Sequence, residues 1–225
     1  MRSIRRTLGP DLTRDIALVC LADAVVGLSY GAIAVGAGFD PWLPMLMSVV
    51  VFAGASQFIV VGIVAAGGSL VAAVAAGLLV NLRHLPFGFA VGDVFGPSLA
   101  RRLFGSHLLI DESVAFTLAQ RDPHRRAAAY WACGIGLFVC WNGAVAVGAL
   151  AGRAVRDTDA LGLDAAFPAV LLALVLPSLR HAGTRRAALI GAALALAGTP
   201  FLPAGLPVLV ALLGLLAART TPVSS

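Results

Sequence analysis

The 225-residue chain contains no lysine: all 16 basic residues are arginine, set against 11 acidic residues, and charged residues make up 12% of the chain. A soluble domain carries about 25% charge, so this chain cannot clothe a water-facing surface of ordinary size. No polar stretch is long enough to form a separate soluble domain. Cysteine is scarce too. Cys20, Cys133 and Cys140 all lie inside apolar runs, and their spacing matches no metal site. The odd count excludes a closed disulfide framework, and they are expected to pack as small apolar groups. The net charge of +5 invites a nucleic-acid reading, but the arginines fall in short clusters between apolar runs. That is the pattern membrane topology produces, so nucleic acid is not an expected partner. There is no HExxH helix, no GxSxG elbow and no phosphate loop, and the four histidines are scattered. No enzyme activity, catalytic residue, metal or cofactor is expected.

What the chain has is apolar length. Hydrophobic residues make up 60% of it and the mean hydropathy is +0.95. Seven apolar segments stand out, near 16–37, 43–66, 69–92, 128–150, 165–180, 186–200 and 203–218. Against the ~20 residues a membrane helix needs, they predict an all-α, polytopic helical membrane protein forming a single transmembrane domain over residues 1–225. Residues 1–15 would be a cytoplasmic N-terminal segment. The first apolar run is too long for a signal-peptide core and is read as the first span. An eighth, weaker stretch, 103–120, carries His107, Asp111 and Glu112; a polar-lined span and a re-entrant element both fit it. Arginine placement puts the N-terminus, the RDPHRR and SLRHAGTRR loops and the C-terminus on the cytoplasmic side of a bacterial inner membrane. Arg101 and Arg102 are the exception, because eight spans would place them outside.

An internal repeat is also legible. GAIAVGAGFDPWLP at 31–44 resembles GAVAVGAL at 143–150, followed after an insertion by GLDAAFP at 162–168, and the predicted orientation makes the two copies parallel. Small residues spaced four apart (Gly27 and Gly31, Gly88 and Gly92, Gly148 and Gly152) permit close helix packing; with 25 glycines in the chain, they mark no site.

Polar residues inside apolar runs carry the functional reading. LLVNLRHLPFG (78–88) places Asn81, Arg83 and His84 in such a run, with Pro86 two residues on. An arginine at membrane depth costs about 2.5–3.5 kcal/mol on insertion scales. Three structural readings are open: Arg83 snorkels to an interface, pairs with Asp111 or Glu112, or lies beyond a span that ends near residue 80. The functional reading is that it lines a solute path, its guanidinium forked onto a carboxylate. Pro86 predicts a broken helix at 84–86. FAGASQF (52–58) predicts a second interruption at 54–57, where Gly54, Ser56 and Gln57 either bind solute or act as interhelical glue. Asp23 is a proton-site candidate, weighed against an interfacial position. Asp111 and Glu112 are adjacent, so at most one of them meets Arg83.

FAGASQF, NLRH about two dozen residues later, and the acidic pair of LLIDESVAF together resemble the AzlC/YgaZ branched-chain amino acid permease family, over nearly the whole chain. The resemblance implies the large subunit of a two-component exporter, with a small AzlD/YgaH-like membrane subunit as partner. It carries over Gly54, Ser56, Gln57, Asn81, Arg83, His84, Asp111 and Glu112 as motif residues without fixing their roles. Two departures stand out: Ile110 where the family often has threonine, and Asp23 with SerTyrGly in the first helix where it often has proline. The expected solute is a branched-chain or similar hydrophobic amino acid. A permease for another small carboxylate-bearing solute and a non-transporting scaffold subunit are the alternatives.

Overall fold

The computed structural model describes residues 7–154, 172, 176, 178–202 and 206–218. Among them every regular element is helical, as lipid requires, because a helix satisfies its own backbone groups. The chain divides into two compact units: residues 1–57 with 81–156, and residues 58–80 with 157–225.

The first unit is framed by two long helices, α1 (Pro10–Gly36) and one that follows much later, α8 (Pro123–Ala154). Between them come α2 (Trp42–Val50), α3 (Gly54–Ala65), α4 (Leu70–Asn81), α5 (His84–Val91), a 3-10 turn at Gly92–Phe95, α6 (Leu99–His107) and α7 (Asp111–Leu118). Only the first turn of α3 and the last residue of α4 belong to this unit. Gly9, at φ 78, turns the chain into α1, and Pro10 occupies the first helical position, where a missing N–H costs nothing. At 27 and 32 residues, α1 and α8 are about 40 and 48 Å long at 1.5 Å per residue, enough to cross a ~30 Å hydrocarbon core.

These two helices run parallel. Their contacts climb both together: Arg125 Nη2 donates to Leu8 O at 3.0 Å, Gly136 faces Cys20, Gly27 faces Trp141, Gly31 faces Val145 and Ala149, and Gly152 faces Ala32. The approach is close enough to need glycine. A Cβ on Gly31 would lie 2.3 Å from Val145 O, and one on Gly148 2.0 Å from Leu28 O. Two of the three small-residue pairs seen in the sequence therefore form this seam. The third does not: a Cβ on Gly88 meets only Leu109 at 3.7 Å, and one on Gly92 meets nothing within 4 Å. The helical parts of the two copies, 31–36 and 143–150, lie on these parallel helices, while 162–168 lies outside the described residues. The outer faces carry Leu18, Leu21 and Val25 on α1 and Val139, Val147 and Leu150 on α8, all exposed, as lipid-facing positions should be.

Among the described residues, three stretches are long and apolar enough to cross a membrane: Pro10–Gly36, Leu70–Phe95 and Pro123–Arg153. They correspond to the first, third and fourth expected segments. The 43–66 segment is two helices, α2 and α3, neither long enough to cross alone. The 103–120 stretch is likewise split between α6 and α7. The 165–180 segment lies largely outside the described residues.

Both predicted helix interruptions are real but displaced. The first falls at 51–53, and Gly54–Gln57 form the opening turn of α3. The second falls at 82–83, ahead of Pro86. Proline is tolerated in a first turn but clashes with the carbonyl four residues back, so the helix breaks before Leu82 can be in register and Pro86 sits in the first turn of α5.

In the second unit, Ile63 of α3 packs with Ala73 and Ala76 of α4, and Leu209 covers them. The helix α9 (Ala182–Gly198) packs against the run that holds α10 (Leu206–Ala211), a 3-10 turn (Leu212–Gly214) and α11 (Leu215–Ala218). Glycine again permits the contact: a Cβ on Gly191 would lie 2.5 Å from Ala211 O, and one on Gly214 2.3 Å from Ala187 O.

Candidate functional site

Three breaks in regular structure meet beside the middle of α8. The first, at 51–53, follows from Val51, whose φ of −115° and ψ of 76° leave the helical region. Side chains from the next turn repair the broken backbone. Ser56 Oγ donates to Ala53 O at 2.9 Å, and Gln57 Nε2 donates to Val51 O. Trp141 Nε1 in turn donates to Gln57 Oε1 at 3.2 Å. Gly54 lets that indole close in, since a Cβ there would lie 2.9 Å from the Trp141 ring. Gly54, Ser56 and Gln57 thus hold the break against α8, and both polar side chains are fully buried.

The second break, at 82–83, is tied to the first by Asn81 Nδ2, which donates to Ser56 Oγ at 3.2 Å. The third, at 108–110, joins α6 to α7. Ser113 stabilises it: Ile110 N–H donates to Ser113 Oγ at 3.1 Å, and Ser113 Oγ donates to Ile110 O at 2.9 Å. Ile110 occupies the N-cap position of α7 without the side-chain oxygen a cap ordinarily supplies, and Ser113 meets part of that need. A ring cluster packs the third break against the first: Phe52 lies 5.2 Å from Phe138 and His107 5.6 Å from Phe138, centroid to centroid.

Arg83 and Asp111 close the arrangement. Arg83 Nη1 lies 2.7 Å from Asp111 Oδ2, with about two fifths of each side chain accessible. Of the two adjacent acids it is Asp111 that makes the pair, at the first position of α7. Glu112 is half-buried and within electrostatic reach of both Arg83 and Asp23. Asp23 lies half-buried on α1 and is not in the direct contacts of Arg83. The structure therefore brings together Gly54, Ser56, Gln57, Asn81, Arg83, His84 and Asp111, with Glu112 beside them and Asp23 further along.

Three buried side-chain atoms among the described residues lack a hydrogen-bond partner: Asn81 Oδ1, Arg83 Nε and His84 Nε2. They come from three residues within a four-residue stretch at one helix break. Unsatisfied buried polar atoms are rare and costly, and their concentration here singles out this break. The chemistry of each is fixed by its neighbours. His84 Nδ1 donates to Asn81 O at 3.0 Å; a carbonyl can only accept, so neutral His84 presents Nε2 as an acceptor. The break thus offers one cationic donor, Arg83 Nε–H, next to two neutral acceptors and the Asp111 carboxylate.

Sequence reasoning missed Trp141, the partner of Gln57. It also missed Ser48 and Asn142, linked at 2.6 Å by Ser48 Oγ donating to Asn142 Oδ1. The available signal was a polar atom inside an apolar run, the same one that marked Asn81. Tyr130 and Trp131 are tied inward: Tyr130 Oη donates to Gly105 O at 2.6 Å and Trp131 Nε1 to Val94 O at 3.2 Å.

Comparison with known proteins places this site in a family. The chain is 31% identical over 97 residues to an uncharacterized membrane protein of Helicobacter pylori, an overlap covering 43% of the chain and 42% of that relative. It is 24% identical over 206 residues to the branched-chain amino acid transport protein AzlC of Bacillus subtilis, covering 88% of the chain and 79% of the relative. It is 30% identical over 185 residues to the inner membrane protein YgaZ of Escherichia coli, covering 74% of the chain and 67% of the relative. No solved structure matches. The AzlC protein family model matches residues 18–155, which includes all three helix breaks and the paired residues Arg83 and Asp111, and the chain belongs to the AzlC family.

Proposed function

We propose that this chain is the large permease subunit of a two-component secondary transporter that exports branched-chain or similar hydrophobic amino acids. The observation that carries this is the pattern of unpaired atoms at residues 81–84. An α-amino acid brings a carboxylate and a three-donor ammonium to one carbon. Arg83 Nε–H complements the carboxylate; Asn81 Oδ1, His84 Nε2 and the Asp111 carboxylate complement the ammonium. A simple carboxylate would leave those acceptors idle, and a simple amine would leave Arg83 unmet. The transport function named for the Bacillus subtilis relative supports the same reading. Aliphatic pockets separate neighbouring side chains by only about 1–3 kcal/mol per methylene, so a broad set of apolar amino acids is expected.

In this reading Asp23 and Glu112, half-buried and within electrostatic reach of one another, are the coupling candidates. A small AzlD/YgaH-like membrane subunit is the proposed partner, and the proposed setting is the inner membrane with a cytoplasmic N-terminus. The test is efflux of labelled valine, leucine, isoleucine and methionine from cells expressing the chain with its adjacent small subunit, wild type beside Arg83→Ala. Efflux that disappears in the variant, with both chains still in the membrane, is the expected result. No efflux from the wild type would favour a scaffold role or a different solute.

A further inference from the structure

We infer that residues 99–118 form a re-entrant hairpin: they enter the membrane from the face that holds the N-terminal ends of α1 and α8, turn at 108–110, and return to that face. This does not depend on which solute is carried. The hairpin starts beside the beginning of α8. Asp93 lies 3.3 Å from Arg126, Val94 O accepts from Trp131, and Ser98 caps α6 by accepting from Arg101 N at 3.3 Å.

From there α6 climbs along α8. The Arg101 guanidinium lies over Trp131, 5.6 Å from its ring centre, and Phe104 stacks on the same ring at 6.0 Å. Gly105 accepts from Tyr130, Leu108 faces Gly134 and His107 faces Phe138. Phe138 is near the midpoint of α8. The return follows from packing and connectivity. Val114 of α7 is back in one core cluster with Tyr130, Phe95 and Val94, and α7 ends at Leu118, with α8 beginning at Pro123. The nine residues of α6 and eight of α7 give arms of about 13 and 12 Å at 1.5 Å per residue. Each reaches about halfway through a ~30 Å core.

Two consequences follow. Asp111, the acid paired with Arg83, sits at the tip of an element that opens to one face only, so the anionic half of the polar site is delivered from that face. Arg101 and Arg102 also move to the face of Arg121, Arg125 and Arg126, which leaves Arg153, in the last turn of α8, as the described loop-side arginine on the opposite face.

The experiment uses the full chain in membrane vesicles of known sidedness, with Cys20, Cys133 and Cys140 replaced by alanine. Single thiols at Ala100→Cys, Arg121→Cys and Asp40→Cys are probed with a membrane-impermeant maleimide. All three positions are exposed. The expected result is that positions 100 and 121 label from one face and position 40 from the other. Labelling of position 100 together with position 40, opposite to 121, would make 99–118 a crossing segment and overturn the inference. If the cysteine-free chain fails to assemble, the native chain carrying a protease site after Pro97 or after Gln120 gives the same readout. Cleavage of both from one face supports the hairpin; cleavage from opposite faces overturns it.

Discussion

Gly148→Ala should destabilise the protein, while Gly143→Ala, five residues earlier on the same helix, should not. The contrast can be worked from the packing. A Cβ at position 148 would lie 2.0 Å from Leu28 O, backbone that cannot rotate aside, whereas one at position 143 meets nothing within 4 Å. Ordinary contact begins near 3.4 Å, so α1 and α8 must part locally by more than 1 Å. A gap of 0.5–1 Å already forfeits a quarter to a half of each dispersion contact, and overpacked positions cost about 1–3 kcal/mol. Against this stands the helix-propensity gain of alanine over glycine, about 1 kcal/mol. The net for Gly148→Ala is a loss of up to about 2 kcal/mol; for Gly143→Ala it is a gain of up to about 1 kcal/mol. At about 2–4 °C per kcal/mol for a chain of this size, purified protein in detergent should melt several degrees lower in the first variant and no lower in the second. Equal shifts in the two variants would refute the parallel, glycine-dependent seam.

Three further outcomes follow. Ser113→Ala removes the acceptor for Ile110 N–H in a fully buried site; it should cost about 1–3 kcal/mol, read as a lower melting temperature. Trp141→Phe leaves Gln57 Oε1 without its donor; a loss of similar size, about 1–3 kcal/mol, is expected by the same assay. Arg83→Gln and Asp111→Asn should be non-additive. Their pair is neither fully exposed nor buried, so a double-mutant cycle on stability should give a coupling of about 1–2 kcal/mol, between the exposed and buried limits.

Much of this was legible in the sequence because its signals are local. An arginine, a histidine and an asparagine inside an apolar run can only mean a site, a break or an edge. The run 78–88 turned out to contain a break and a set of unpaired atoms together. Pro86 announced the broken helix, but its position was misread by two residues, because proline marks the first turn of the following helix rather than the break itself. Gly54, Ser56 and Gln57 were seen as an interruption; only packing shows that two of them repair the backbone and that Gly54 admits Trp141. The small-residue pairs were indistinguishable by composition. Gly88 and Gly92 have the same spacing as Gly148 and Gly152, and only tertiary contact separates them. The 103–120 stretch was ambiguous for the same reason. Its length allows a crossing, and the inference that it turns back rests on its contacts with Tyr130, Trp131 and Phe138 on the helix that follows.

Acceptance of a zwitterion by the polar break at residues 81–84 is tested most directly by equilibrium binding of labelled leucine to the purified chain. Two competitors of matching shape each lack one charged group: 4-methylpentanoate has no ammonium and isoamylamine has no carboxylate. Leucine should bind, neither analogue should displace it efficiently, and Arg83→Gln should abolish binding while the protein remains folded. Displacement by either analogue as effective as by leucine itself, or undiminished leucine binding in Arg83→Gln, would contradict the assignment of Arg83, Asn81, His84 and Asp111 to the solute.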